Sequence, residues 1–222
     1  MKKLLVSVIT ALTLLGSAFA VEFKVDADFA IPIETVNQSY SISYSGLTME
    51  YKMTNSFVPV GLSVGVDAFF TDLLGASFKA NFGFTSTMNI KTKISMYGHE
   101  EPVSKDSQNF DSGSSSSFFL GAAIRPLNGK FFFIATPGAI LSFSSFKESN
   151  SKMNINAFGL GADLQAGYKI TDKIAINGGL LAAILFAPKI TMDGEDVTAM
   201  YGNATKTSGF MIEPKIGASI FF

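Results

Sequence analysis

The chain of 222 residues has no cysteine, no tryptophan, one histidine and 7 prolines, and its 18 acidic residues nearly match its 17 basic ones. Each shortage removes a class of protein. Without cysteine there is no disulfide framework, no thiolate metal site and no lipid-bearing amino-terminal cysteine. A net charge of −1 supplies no positive field for nucleic acid. Beyond Ala20, no apolar run approaches the ~18 residues from which a membrane helix is read, so a helical anchor is excluded as well.

What is present begins with a leader. Lys2 and Lys3 precede an apolar run from Leu4 to Leu15, and Gly16-Ser17-Ala18-Phe19-Ala20 supplies the small residues of an A-x-A cleavage site. Residues 1–20 therefore read as a cleaved signal peptide and residues 21–222 as one mature domain. Of the 17 Lys and Arg, Lys2 and Lys3 leave with the leader, so 15 remain against 18 acidic residues.

The mature sequence alternates with a period of two, the signature of strands with one apolar face. In the first segment, Val21 to Ile31, Phe23, Val25, Ala27 and Phe29 oppose Glu22, Lys24, Asp26 and Asp28. Further segments run over Phe57–Phe70, 74–89, Ser115–Arg125, Phe131–Ser144, Asn154–Ile170, Ile174–Ile190 and from Phe210 to the end. In the third, Phe78, Ala80, Phe82, Phe84 and Met88 share the apolar face. Short turns near 71–73, 126–129 and 171–172 alternate with longer connections near 32–56, 91–114, 145–153 and 191–208. Segments of at least ~9–11 residues can cross a bilayer as tilted strands. Hydrocarbon offers an open sheet edge no hydrogen-bond partner. The predicted fold is therefore all-β, an eight-stranded antiparallel up-and-down transmembrane β-barrel, with short turns on the periplasmic side and long loops outside. Tyr40, Ile42 and Tyr44, then Met49, Tyr51 and Met53, alternate around Ser45-Gly46-Leu47, which predicts an extended hairpin in the first long connection. Pro137 and Pro214 fall inside predicted strands, where each removes a ladder donor and predicts a bulge or break.

The last residues carry a further signal. Lys215, Gly217, Ile220 and Phe222 fit the pattern polar-x-Gly-x-x-apolar-x-aromatic, although an amphipathic edge strand would also align Ile216, Ala218, Ile220 and Phe222. With the alternation, this resembles the small eight-stranded bacterial outer-membrane proteins, a group that includes the OmpA transmembrane domain, OmpX and OmpW. The resemblance implies residence in the bacterial outer membrane, contact with its lipid and with lipopolysaccharide or an equivalent, and delivery by the barrel assembly machinery through the terminal signal. Aromatic residues fit two interfacial girdles: Phe23, Phe70, Phe131, Tyr168 and Phe222 at turn-side ends, and Phe57, Phe84, Phe118, Phe143, Phe186 and Phe210 at loop-side ends.

Function then lies in the lumen or on the loops. The inner phase places Glu22, Asp26, Asp28, Asp67, Asp163 and Glu213 against Lys24, Lys79, Arg125, Lys169, Lys173 and Lys215. Six acids and six bases in a narrow barrel must be paired or hydrated. They read as an ion-pair plug, or, with inward Gly61, Gly65, Gly83, Gly121, Gly159, Gly161, Gly179 and Gly217 leaving space, as a narrow polar passage. Inward Leu181, Leu185, Ile134, Ile140, Phe119 and Met211 would either line an apolar pocket or simply pack. The single histidine, His99, sits beside Glu100 and Glu101 on a loop, which is no preorganised acid–base or metal site. Met192-Asp193-Gly194-Glu195-Asp196 lacks the spacing of a calcium loop and reads as a charged turn. The expected function is a non-enzymatic barrel without cofactor, serving structure and surface interaction through loops that hold a surface ligand. A narrow passive channel or carrier for small polar or hydrophobic solutes is the alternative.

Deleting Phe222 separates the insertion signal from simple burial. Losing one lipid-facing aromatic should cost at most ~1.5–3 kcal/mol, which an eight-stranded barrel tolerates. Deletion of Phe222 is expected to leave exported, signal-cleaved protein that proteases remove, whereas Phe143→Ala still inserts. Equal surface levels of both variants and the unaltered protein, measured by cell-surface immunoblot, would reduce the terminal pattern to an amphipathic strand end.

Overall fold

A computed structural model of the chain describes residues 21–44, 47–96, 99–100, 102–198 and 206–222. The expected signal peptide, Glu101 and the side chains of His99 and Glu100 lie outside the described residues. The two-residue alternation becomes fourteen strands: β1 (Glu22–Ala30), β2 (Ile33–Tyr44), β3 (Leu47–Phe57), β4 (Val60–Phe69), β5 (Leu74–Phe84), β6 (Thr87–Met96), β7 (His99–Glu100), β8 (Ser104–Asn109), β9 (Ser112–Asn128), β10 (Phe131–Glu148), β11 (Ser151–Lys169), β12 (Ile174–Met192), β13 (Glu195–Asp196) and β14 (Lys206–Phe221).

These strands combine into eight staves. β14 pairs with β1 from Lys24↔Phe221 to Ala30↔Lys215 and continues onto β2 from Ile33↔Ile212 to Ser39↔Lys206, so β1 and β2 are one stave interrupted at Ile31-Pro32. In the same way β3 and β4 are interrupted at Val58-Pro59, β5 and β6 at Thr85-Ser86, and β8 and β9 at Phe110-Asp111. β10, β11, β12 and β14 are each a single stave. Antiparallel ladders run β1–β4, β4–β5, β5–β9, β9–β10, β10–β11, β11–β12, β12–β14 and back from β14 to β1, closing an antiparallel ring.

The breaks line up. Registers of Ala30↔Gly61 and Glu34↔Phe57 set Pro32 opposite Pro59, so neither residue can donate to the other stave. Pro214 keeps its place in the β12 ladder opposite Leu180, and its missing donor faces this same break, where Ile31 N–H donates to the Pro214 carbonyl at 3.1 Å. Pro137 pairs with Ala162 on β11, and the register slip on its other side falls nearby, between Phe133 and Ala135.

Interruptions also shift phase. Lys79 and Asn81 point inward before Thr85-Ser86, and Met88 does so after it, at 1 % exposure. Met88, expected on the outer face, is therefore core, because the break inserts an odd residue. Phe57, expected in the outer girdle, is buried without a phase change: Val58, Val60 and Leu62 hold the lipid-facing side, so alternation turns Phe57 inward. On β12, Ala187 takes φ 40° and forms a bulge, so Leu185 and Ile190 are both buried.

The expected long connections are mostly paired strand. β2 and β3 stay in register from Glu34↔Phe57 to Tyr44↔Leu47, with Tyr40 and Tyr51 rings stacked at 4.7 Å, so the first connection is the extended hairpin that its alternation predicts. β10 and β11 run to Glu148 and Ser151 and leave only a tight turn. Asp193 (φ 52°) and Gly194 (φ 90°) link Met192 to Glu195, both central residues being left-handed as a two-residue hairpin turn requires.

A closed ring has no edge from which detergent can unzip it. The native protein is expected to migrate differently on a denaturing gel before and after boiling. Identical migration, together with release from membranes by carbonate, would contradict the closed ring.

Candidate functional site: the lumen and the hairpin face

The inward faces of the staves build three apolar layers with polar groups between them. Phe69, Phe132, Ile134 and Phe221 pack at the turn end. Phe119, Ile140, Leu181, Leu185 and Met211 pack in the middle; with Ile134 these are the residues that the sequence offers as an apolar pocket, and they are filled by one another. Val36, Phe57, Met88, Phe110, Phe146 and Ile155 pack under the hairpins.

Between the first two layers lie the expected lumen charges. Lys24 is fully buried and its Nζ donates to Asp26 Oδ2 at 2.6 Å, to Asp67 Oδ2 at 2.8 Å and to Gln165. Asp26 also accepts from Ser219 Oγ at 2.7 Å, whose hydroxyl accepts from Asn177. One turn of the ladder higher, Asp163 is held by Lys79 and by Lys215, the latter at 2.6 Å. Glu22 and Arg125 pair at the turn-side rim, with the guanidinium 3.9 Å from the Phe69 ring centroid. Lys169 caps the same end, its Nζ over the Phe221 ring at 4.3 Å. Lys173 is exposed on a turn and is not a lumen residue, because the inward phase of β12 begins only at Ala175.

Charge balance in the sealed part departs from six against six. Glu34, which the alternation Ala30, Pro32, Glu34, Val36 would have pointed to, is 1 % exposed and accepts from Ser142 Oγ at 2.8 Å. Three lysines, Lys24, Lys79 and Lys215, therefore face six carboxylates: Asp26, Asp28, Glu34, Asp67, Asp163 and Glu213. Among the described residues, Glu213 has no hydrogen-bond partner on either oxygen. The inward glycines do not leave a passage. A Cβ on Gly65 would lie 3.1 Å from Lys79 Cγ, and one on Gly179 would lie 2.9 Å from Lys215 Cε, so their missing side chains are replaced by the lysine stems.

Outside, the wall is apolar. Leu62, Phe78, Phe84, Leu120, Phe158, Leu160, Ile184 and Ile216 are all exposed. On β11 the outward row from Phe158 to Tyr168 covers ten steps, about 33 Å of strand, which a tilt of roughly 40° reduces to the ~25 Å band of an outer-membrane barrel. A major outer-membrane protein from Thermus thermophilus has a similar structure, with a TM-score of 0.52 at 15 % identity over 91 % of this chain and 99 % of that one. The chain has the outer-membrane β-barrel fold. Other similar structures are Ail, the attachment invasion locus protein of Yersinia pestis (TM-score 0.43, 9 % identity, 89 % and 99 % covered), and the outer membrane protease OmpT from Escherichia coli (0.43, 6 %, 90 % and 97 %). No protein-family model matches the sequence, and no curated protein does.

Above the lipid band, this outer-membrane barrel carries a second feature that was hidden in segments read as loops. β14, β2, β3, β6 and β8 continue as a sheet whose outer face repeats lysine. One row runs Lys206↔Ser39↔Lys52↔Lys93, and the next runs Ser208↔Asn37↔Thr54↔Lys91↔Lys105. Lys52↔Lys93 and Lys91↔Lys105 are like charges directly opposite, which a sheet disfavours. Glu50 sits 3.7 Å from Lys52 Nζ. Lysine on β8 protects an edge strand, but Lys52 and Lys93 are interior to the sheet. The acidic turn offers little to a cation: Asp193 accepts from Lys152 N–H at 2.7 Å and Ser151 Oγ at 2.9 Å, and the Lys152 bond, then the Ser151 bond, hold its carboxyl below the usual range. That contribution is present above the ordinary carboxylate range and lost as pH falls through the lowered value. Among the described residues no three His, Asp or Glu converge as a metal site.

Two substitutions test the charge network. Lys24→Met leaves Asp26 and Asp67 buried without their cation and should cost about 3–5 kcal/mol. Glu213→Gln removes an unpartnered carboxylate and should be neutral or stabilising. Urea unfolding followed by the gel shift measures both, and equal losses would show that Lys24 is not the hub.

Proposed function

We propose that the protein is a closed, non-enzymatic outer-membrane barrel that works through its hairpin sheet, whose lysine face engages the phosphate groups of outer-leaflet lipopolysaccharide. The carrying observation is the sealed lumen: Lys24, Asp67 and Glu213 have no solvent exposure and Lys79 only 3 %, with apolar layers on both sides. A water-filled passage would leave these groups wet. Glycine space taken by the Lys79 and Lys215 stems also counts against passive conduction.

The lysine rows support the surface role. They lie two and four residues beyond the outward row of Phe210, Thr35 and Ser56, about 7 and 13 Å along the strand, at the level of lipid headgroups. Phosphate there relieves the like-charge opposition of Lys91 and Lys105. The low-identity likenesses speak only to fold, and proteins so named include an attachment protein and a protease, so function rests on these residues.

Planar-bilayer recording of the purified protein is expected to show no conductance steps; steady steps would replace the closed reading with a passage. Retention of lipopolysaccharide on native gels should fall with salt. It should weaken by about tenfold or more in Lys52→Glu/Lys91→Glu, at about 1 kcal/mol per surface lysine removed. Undiminished retention in that variant would remove the lysine face from the function.

A further inference from the structure

Near the turn end, the lipid-facing wall has a furrow of about 800 Å³, within the roughly 300–1,000 Å³ range of small-molecule sites. Its floor is the pair Ala166↔Gly178, flanked in the same row by Phe133 and Ile216. Phe131, Tyr168 and Ile176 form the row nearest the turns. Along the same two strands the outward row holds large pairs at Leu164↔Leu180 and Phe158↔Phe186 and a second small pair at Ala162↔Ala182, but only Ala166↔Gly178 includes a residue with no side chain.

Folding does not require the small residue at Gly178. A Cβ built there meets only the Lys215 carbonyl oxygen, at 3.6 Å, an ordinary contact. By contrast, a Cβ on neighbouring Gly167 would come within 2.3 Å of the Phe132 ring. Glycine inside a strand forfeits order and packing, and often marks a close approach by a ligand or another backbone.

Chemistry at the mouth names the visitor. Lys130 holds its Nζ 5.2 Å from the Tyr168 ring centroid, and Tyr168 packs against Phe131 with centroids 5.0 Å apart. Lys173 is exposed on the adjacent turn, together with the acid Asp172. A cation at the interface above an apolar furrow fits a molecule with an anionic head and a hydrocarbon tail.

We propose that this furrow binds one phospholipid of the periplasmic leaflet, an acyl chain lying over Ala166 and Gly178 and its phosphate at Lys130. Native mass spectrometry of the intact barrel in mild detergent with added phosphatidylglycerol tests this. The unaltered protein should carry one lipid. Gly178→Phe, which fills the furrow, should lower occupancy by at least about tenfold, equivalent to 1.4 kcal/mol. Lys130→Gln should lower it less, and Ala122→Phe, on the lipid-facing wall of β9, should leave it unchanged. Ala166→Leu gives a second filling variant should Gly178→Phe lose the gel shift that marks a closed barrel. Equal occupancy in the unaltered protein and the filled variants would overturn the proposal. So would a dimer peak that the filled variants abolish, since it would assign the furrow to a second copy of the chain.

Discussion

The ladder that joins β14 to β1 and β2 is the contact on which the rest of the structure depends. Hydrocarbon cannot satisfy a backbone N–H or C=O, so a spanning sheet is stable only when its first and last staves pair. That pairing must hold from Lys24↔Phe221 to Ser39↔Lys206, across a point where Pro32 and Pro214 have no donors to give. The carboxyl-terminal stave serves both β1 within the membrane and β2 above it. Phe222 N–H closes the ring by donating to the Phe23 carbonyl at 2.9 Å.

Closure then dictates the interior. A ring of eight staves leaves a space that side chains nearly fill, and every inward polar group must find its partner across it. Lys24 reaches three acceptors on three staves, and Asp163 collects lysines from β5 and β14. Their long stems need room, which Gly65 and Gly179 supply. Glycine and lysine are therefore a matched set here, and a lumen that looks roomy in sequence is closed in three dimensions. The excess of acids remains, with Asp28, Glu34 and Glu213 lacking a cation in contact among the described residues.

Much of this was legible in the sequence because its cause is local. Alternation fixes which side of a strand a residue occupies, so Lys24, Asp67, Lys79, Arg125, Asp163 and Lys215 could be placed inward one residue at a time. The phase slips were not legible. Thr85-Ser86, Phe110-Asp111 and Ala187 carry no marker in their own segments, because a bulge is defined by the partner strand that it fails to match; Met88 turns inward for that reason, whereas Phe57 needs no slip, since outward Val58, Val60 and Leu62 already fix its side. The furrow and the lysine rows depend on lateral register between strands far apart in sequence. No one-dimensional pattern contains Lys52 beside Lys93 or Ala166 beside Gly178. The acid–lysine imbalance needs no lateral register: the alternation Ala30, Pro32, Glu34, Val36 points Glu34 inward, and only the proline that interrupts the stave conceals that continuation.

The aligned breaks explain how one molecule combines a closed ring with a protruding sheet. They cross the first four staves at Pro32, Pro59, Thr85-Ser86 and Phe110-Asp111, while β10, β11 and β14 run through without interruption. Below the line, β9 bridges β5 and β10 and the ring is complete. Above it, among the described residues β8 pairs with β6 alone, so the described sheet of β14, β2, β3, β6 and β8 ends in a free edge. An open edge is tolerable only where water can satisfy it, and β8, Ser104–Asn109, is polar along its length, with Lys105 on its outer face. The line of breaks therefore marks where hydrocarbon ceases to constrain the backbone. From that level upward, side chains answer to water and headgroups, and the outer face changes from phenylalanine and leucine to serine, threonine, asparagine and lysine.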